Sequence, residues 1–321
     1  MRALVTGATG FIGSHLVEEL LKRGYLVTCL LRKASSLKWI EGLDVSIKYG
    51  DCLDGESLLE AVRDVDFVFH LAGLTKAARK EDFFSVNAGG TENLLKALLA
   101  NNPGVRRFLH LSSLAAVGPS ANGRPVDEET SPRPVSSYGK SKLQAEAVVA
   151  RYKGAIATTV IRPPAVYGPR DRDMLVFCSM LKRGIFPYWG RCYYSLLYVD
   201  DLVKGIIASA ESEDAKGETF FLSEDDYSNE QIAEIVSEAV GRKPVRLRIP
   251  RLMMPVIAGI GCRLFRGQAG IINADKAKEL AHNRWTCSSS KAGARLGFSP
   301  KIKINEGIRW TTNWYRIHQW L

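Results

Sequence analysis

Tyr138 and Lys142 stand four residues apart in the run Tyr138-Gly139-Lys140-Ser141-Lys142. The segment reads as the start of a helix, and that spacing projects both side chains from one face. A phenol, with an ordinary pKa near about 10, is a poor base at neutral pH. A neighbouring ammonium favours the phenolate and lowers that pKa. The phenol can then exchange a proton with an alcohol or carbonyl oxygen. Taken alone, a Tyr/Lys pair at helical spacing is more often a surface pair, so the rest of the chain decides.

The deciding feature is the glycine loop Thr6-Gly7-Ala8-Thr9-Gly10-Phe11-Ile12-Gly13, which follows a short apolar run and opens a helical pattern. Glycine is required where a Cβ would block a tight turn or keep a pyrophosphate from backbone N–H groups, and the helix N-terminus adds partial positive charge. Gly7, Thr9, Gly10, Phe11, Ile12 and Gly13 are therefore the expected dinucleotide cradle. A nicotinamide held there places hydride transfer beside a tyrosine that moves the matching proton. Rossmann proteins that take NAD usually carry a carboxylate at the end of the second strand, whereas those that take NADP favour an arginine. Here that strand ends Leu30-Leu31-Arg32-Lys33. Arg32 is the expected 2′-phosphate partner, with Lys33 and Ser35 as helpers. NADP(H) is the favoured coenzyme and NAD(H) the alternative.

The elements that must position these groups are legible. Short runs at 3–5, 26–31, 65–71, 107–111 and 156–161 alternate with helical periodicity at 15–22, 57–62, 91–100 and 144–151. Continuous apolar strands alternating with helices predict a parallel sheet covered on both faces. The fold class is α/β, a doubly wound Rossmann sheet with a smaller, discontinuous C-terminal substrate domain. Residues 1–165, with about 195–224, are assigned to the nucleotide domain, and about 166–194 with 225–321 to the substrate domain. Residues 202–210 read as helix, 219–222 as a further sheet strand and 306–317 as a final helix. Trp310 and Trp314 share a face there and are expected in the core.

The 321 residues are 46% hydrophobic and 24% charged, ordinary for a globular protein. The stretch MRALVTGATG lacks the long apolar run and small-residue cleavage site of a secretory signal, so none is expected, and six cysteines are scattered without framework spacing. A reduced, cytoplasmic, soluble protein is expected. The net charge of +10 is uneven: residues 241–321 hold 16 Lys and Arg against 3 Asp and Glu. That asymmetry points to an anionic ligand or surface. No nucleic-acid motif accompanies it, and the five histidines form no metal-spaced set, so neither nucleic acid nor metal is expected. Residues 242–251 alternate basic and apolar, as a half-buried strand would. Residues 252–262 carry no charge; a buried core helix is the favoured reading, with a substrate cap or peripheral membrane contact as alternatives.

The loop TGATGFIG, Asp51 in YGDCLD, His70-Leu71-Ala72-Gly73, Asn87 in VNAGGTENLL, Ser112-Ser113, YGKSK, RPPAVYGP and Val199-Asp200-Asp201 occur in this order across nearly the whole chain. Together they resemble the extended short-chain dehydrogenase/reductase superfamily, within its NAD-dependent epimerase/dehydratase family. The look is closest to members similar to 3β-hydroxysteroid dehydrogenases and dihydroflavonol reductases. The resemblance implies Ser113, Tyr138 and Lys142 as the catalytic set. Ser113 would orient the substrate oxygen, and Lys142 would also bind the nicotinamide ribose. It implies Asp51 at the adenine amino group, with Cys52, Leu71, Ala72, Gly73, Pro163 and Val166 along the coenzyme. Thr75 and Tyr194 are implied on the substrate side, and a homodimer through helices near 83–101 and 137–152.

Nucleotide-sugar members commonly carry an arginine where Tyr194 stands here, with Arg191 three residues early. This departure favours a carbonyl reductase or alcohol dehydrogenase of a lipophilic, sometimes acid-bearing, small molecule. Alternatives are a sugar-nucleotide epimerase or dehydratase with tightly held NAD, and a non-catalytic NADP-sensing protein. The Arg170 side chain, flanked by Asp171 and Asp173, reads as a solvated loop charge, with contact to a substrate as the alternative.

Overall fold

The computed structural model describes residues 1–250 and 274–321. In chain order it begins β1 (Arg2–Thr6), α1 (Phe11–Lys22), β2 (Leu26–Leu31), β3 (Val45–Tyr49), β4 (Phe67–His70), α2 (Lys80–Phe84), α3 (Gly90–Asn101), β5 (Arg107–Leu111), α4 (Ser137–Tyr152) and β6 (Thr158–Arg162). It continues β7 (Ala165–Tyr167), α5 (Arg172–Lys182), β8 (Ile185–Tyr188), β9 (Tyr193–Tyr198), α6 (Val199–Glu211), β10 (Glu218–Phe221), β11 (Asp225–Ser228), α7 (Asn229–Val240) and β12 (Val245–Arg248). After the gap come α8 (Ala274–Leu280), β13 (Arg284–Trp285), α9 (Ser290–Leu296) and α10 (Ile304–Ile317).

Seven strands form one parallel sheet in the order β10-β6-β5-β4-β1-β2-β3. Every residue of β4, β5 and β6 is buried, which is why they read as unbroken runs instead of alternating ones. Two cores cover the two faces. Leu16, Val17 and Leu20 of α1 join Leu202 and Ile206 of α6 on one. Leu94 and Leu98 of α3 join Val148 and Val149 of α4 on the other. Burying each such side chain contributes about 1.5–3 kcal/mol. The strand order reverses between β1 and β4, so a crevice opens beyond their carboxyl ends.

A second sheet is built on β9, with β11 antiparallel and β7 and β13 parallel to it. Asp201 ties the C-terminal segment to α6, accepting the backbone N–H groups of Lys301 (2.7 Å) and Ile302 (2.8 Å).

The structure corrects three expectations and adds a strand. Residues 57–62 make only one 3-10 turn, Glu56–Leu58, not a helix. The strand expected across 242–251 shortens to β12, and all four of its residues are exposed. Trp310 is 41% exposed, because the buried face of α10 runs through Ile304, Ile308, Thr311 and Tyr315. Strand β3 went unread, since as an edge strand it is mostly exposed. The segment 252–262 lies outside the described residues. Among the described residues, no helix is long and apolar enough to cross a membrane.

Candidate active site

The site candidates collect at the carboxyl edge of the sheet, where β1 gives way to Gly7, β4 to Leu71, β5 to Ser112 and β6 to Pro163. Gly7 has φ of +72°, and a Cβ there would lie 2.8 Å from the Ala72 nitrogen. The Thr6 hydroxyl accepts that same N–H at 3.1 Å. A Cβ on Gly13 would sit 2.0 Å from the Gly7 carbonyl oxygen, so only glycine lets α1 approach the loop this closely. Gly10 caps α1 without a side-chain hydrogen bond, and no acidic residue stands in the first turn. The first N–H groups of a 12-residue helix therefore point outward with their dipole uncompensated. This cradle fits a dinucleotide pyrophosphate.

Ser113 follows β5 with extended backbone, and its hydroxyl accepts the Ala115 N–H at 3.1 Å. The same hydroxyl stands close enough to the Tyr138 phenol to favour its ionised form. Its neighbour Ser112 turns the other way and donates to Glu146, which also takes both ends of the Arg162 guanidinium (2.6 and 3.0 Å). The Lys142 ammonium donates to the Leu111 carbonyl at 2.6 Å, and it would lie 3.6 Å from a Cβ built on Gly73. Ser113 thus stands beside Tyr138, and Lys142, one turn further along α4, reaches Gly73.

Burial pushes the Tyr138 phenol up to about 12; the Ser113 hydroxyl opposes this and the Glu279 carboxylate adds to it. Burial pulls Lys142 down to about 8, partly offset by Glu146. The protein environment alone therefore holds the phenol neutral.

Two supports of this constellation escaped the sequence. Asn87 sits in a π-helical turn, Ser85–Gly89, a form frequent at functional sites. Its side chain accepts the Leu74 N–H (2.7 Å) and donates to the Leu74 carbonyl (3.0 Å) and the Ser141 hydroxyl (2.8 Å). Ser141 in turn donates to the Tyr138 carbonyl at 2.7 Å. The second support is α8: Asp275 accepts the backbone N–H groups of Ser137 and Tyr138, and Glu279 accepts the hydroxyl of Ser136. The first was visible only as a motif asparagine, and nothing in the local sequence marks the second.

Arg32 and Lys33 are exposed at the end of β2, and neither pairs with a carboxylate among the described residues. Arg32 lies near Cys52, where its charge acts on the thiol. Asp51 closes the turn after β3, accepting the Leu53 N–H at 2.9 Å. Pro163 receives the Leu114 N–H at 2.8 Å, which joins β6 to the Ser113 turn. Val166 packs on the main core. Tyr194 and Tyr138 flank one small apolar cluster with Val117, Phe221 and Trp285. Thr75 is exposed in the loop that Asn87 holds.

Arg170 is not a solvated charge. With φ of +73° it turns onto α1, donating to Ser14 at 2.9 Å and to Glu18, with its guanidinium 5.0 Å from the Trp39 ring centroid.

The sequence model of the NAD dependent epimerase/dehydratase family matches residues 3–222. A ceramide reductase of Caulobacter vibrioides is 29% identical over 99% of this chain and 95% of its own length. A 3 beta-hydroxysteroid dehydrogenase/Delta 5-->4-isomerase of Mycobacterium tuberculosis is 33% identical over 77% of this chain and 72% of its own. Among solved structures, a UDP-glucose 4-epimerase of Thermus thermophilus in complex with NAD superposes with a TM-score of 0.79 at 26% identity, covering 98% of this chain and 99% of that one.

Proposed function

This chain belongs to the NAD-dependent epimerase/dehydratase family of extended short-chain dehydrogenases/reductases and is an oxidoreductase; from that premise we propose that it reduces a ketone, or oxidises the matching carbinol, of a lipophilic small molecule, with NADP(H) as coenzyme. The observation that carries this reading is the buried Tyr138 phenol beside Ser113, one helical turn from Lys142, next to the apolar cluster of Tyr194, Val117 and Trp285. The relatives named as a ceramide reductase and a 3β-hydroxysteroid dehydrogenase support an apolar skeleton.

NADP(H), when bound, supplies or accepts the hydride. Gly7, Gly10 and the first turn of α1 hold its pyrophosphate, and Arg32 with Lys33 receives the 2′-phosphate. Asp51, Cys52, Leu71, Ala72, Gly73, Pro163 and Val166 flank it, and Lys142 meets its ribose. Ser113 orients the substrate oxygen. The Tyr138 phenol, held neutral by burial, donates its proton to that oxygen as negative charge develops there. A neutral donor suits the reduction direction. Thr75 and Tyr194 border the substrate. The same reading includes a homodimer paired through α3 and α4, where Leu99 stands 43% exposed.

A second reading is an epimerase or dehydratase that cycles a retained NAD without net redox change. The likeness to the NAD-bearing epimerase of Thermus thermophilus favours it. The experiment is to denature the purified protein, identify any released nucleotide by mass spectrometry, and titrate native protein with NADPH and NADH. Exchangeable nucleotide with an NADPH preference, lost by at least about tenfold in Arg32→Ala, is the expected result. Stoichiometric NAD would overturn it in favour of the second reading.

A further inference from the structure

The ribbon of β8 and β12 carries its apolar face outward. The parallel register sets Val245 beside Ile185 and Leu247 beside Pro187, so alternation places these four side chains on one face. That face is open: Val245 is 76% exposed, Leu247 55% and Ile185 44%. The opposite face takes the buried Phe186 and carries Arg246, whose guanidinium lies 5.8 Å from the Phe186 ring centroid and 4.4 Å from that of Tyr188. An ordinary surface ribbon has the reverse arrangement.

Cations crowd the ribbon: Lys182, Arg183, Arg242 and Lys243 stand at its start, while Arg246 and Arg248 alternate onto the face opposite Val245 and Leu247. All six are exposed. Residues 182–188 and 241–250 contain no Asp or Glu. None of the six pairs with a carboxylate among the described residues. Glu230, near the inner face, is held by the Tyr188 hydroxyl at 3.0 Å and Arg191 at 3.3 Å. Glu234 and Glu238 line a separate cleft with Lys303.

We propose that this ribbon docks the protein on an anionic phospholipid surface. Val245, Leu247 and Ile185 enter the boundary between headgroups and acyl chains, while Lys182, Arg183, Arg242 and Lys243 at the ribbon's start lie among the phosphates. A second copy is the poorer occupant. A twofold interface sets a patch against itself, which would oppose Lys182, Arg183, Arg242 and Lys243 to their own copies. The proposal goes beyond the oxidoreductase reading and does not rest on it.

The test is flotation of the full chain with neutral phosphatidylcholine vesicles and with vesicles holding about 30 mol% phosphatidylglycerol. Binding to the anionic vesicles alone is expected, weakened about tenfold by roughly 0.5 M salt. Leu247→Asp should weaken it at least as much, with the melting temperature and NADPH affinity unchanged. In the unaltered protein, hydrogen exchange on anionic vesicles should slow at 183–188 and 243–249. Absence of flotation, flotation indifferent to Leu247→Asp, or protection elsewhere would overturn the proposal. So would vesicle-independent dimerisation abolished by Leu247→Asp, which would assign the face to a second copy.

Discussion

The Asp275 carboxylate accepts the backbone N–H of Tyr138 at 3.0 Å through one oxygen, while its other oxygen takes that of Ser137 at 2.7 Å. Helix α4 thus begins with two of its orphan donors satisfied by an anion, which the helix dipole also favours. One turn further along α8, Glu279 accepts the Ser136 hydroxyl at 2.8 Å, and that hydroxyl accepts the Gly139 N–H at 3.0 Å. The clamp fixes how far Tyr138 projects toward Ser113. It also brings negative charge near the phenol, which helps keep it protonated.

Asp275→Asn keeps the shape of this clamp but removes its charge and one acceptor. Loss of a helix cap costs about 1 kcal/mol, so the melting temperature should fall modestly. Turnover should fall further than that, with coenzyme affinity near that of the unaltered protein, because the displaced group is the proposed proton donor. Equal kcat for the two proteins would remove any positioning role and leave Asp275 as a stabilising cap only.

Tyr138→Phe removes one hydroxyl from the Ser113 pair and leaves the ring packed against Phe83, whose centroid lies 6.2 Å away. General acid catalysis supplies about 10²–10⁴-fold. Turnover should drop by at least that much while NADPH still binds, as read by coenzyme fluorescence titration. Activity within tenfold of the parent would move the proton donor elsewhere.

Lys142 gives stability a pH signature. Its folded pKa is depressed to about 8 from an ordinary 10.5, so between those values the unfolded chain binds more protons than the folded one. Stability then rises with pH across this window, and below it the buried ammonium costs on the order of 3 kcal/mol. Tyr138, raised to about 12, acts oppositely, but only above about pH 10. Melting temperature followed from pH 7 to 10 should therefore climb relative to Lys142→Met. Parallel curves for the two proteins would show that Lys142 titrates normally.

The sheet was legible because its strands are local facts: Phe67–His70 and Arg107–Leu111 are unbroken buried runs, and the glycine loop states its own turn. Strand β3 was not, since an edge strand with residues such as Lys48 and Tyr49 in solvent has no buried pattern to read. The role of Asn87 depends on Leu74 and Ser141, 13 and 54 residues away, and that of Asp275 on a helix start 137 residues earlier. Spacing rules do not reach so far. Arg170 misled for a local reason: its acidic neighbours suggested solvent, whereas a left-handed backbone turned it onto Ser14 and Glu18.

The glycine loop separates folding from binding in a way that two substitutions can read. A Cβ on Gly13 would meet the Gly7 carbonyl oxygen at 2.0 Å, and that oxygen is already fixed by the Gly10 N–H at 3.0 Å, so neither side can yield cheaply. A Cβ on Gly10 would stand 3.2 Å from the same oxygen, a tight contact that a shift of a few tenths of an ångström relieves. Overpacking of the first kind costs about 3 kcal/mol. Gly13→Ala should therefore lower the melting temperature and abolish NADPH binding together. Gly10→Ala should fold with near-parental stability and lose coenzyme affinity, because its methyl group intrudes where the pyrophosphate approaches. Calorimetry beside coenzyme titration distinguishes the two; equal destabilisation by both would mean that the close approach of α1 to β1 is not what Gly13 secures.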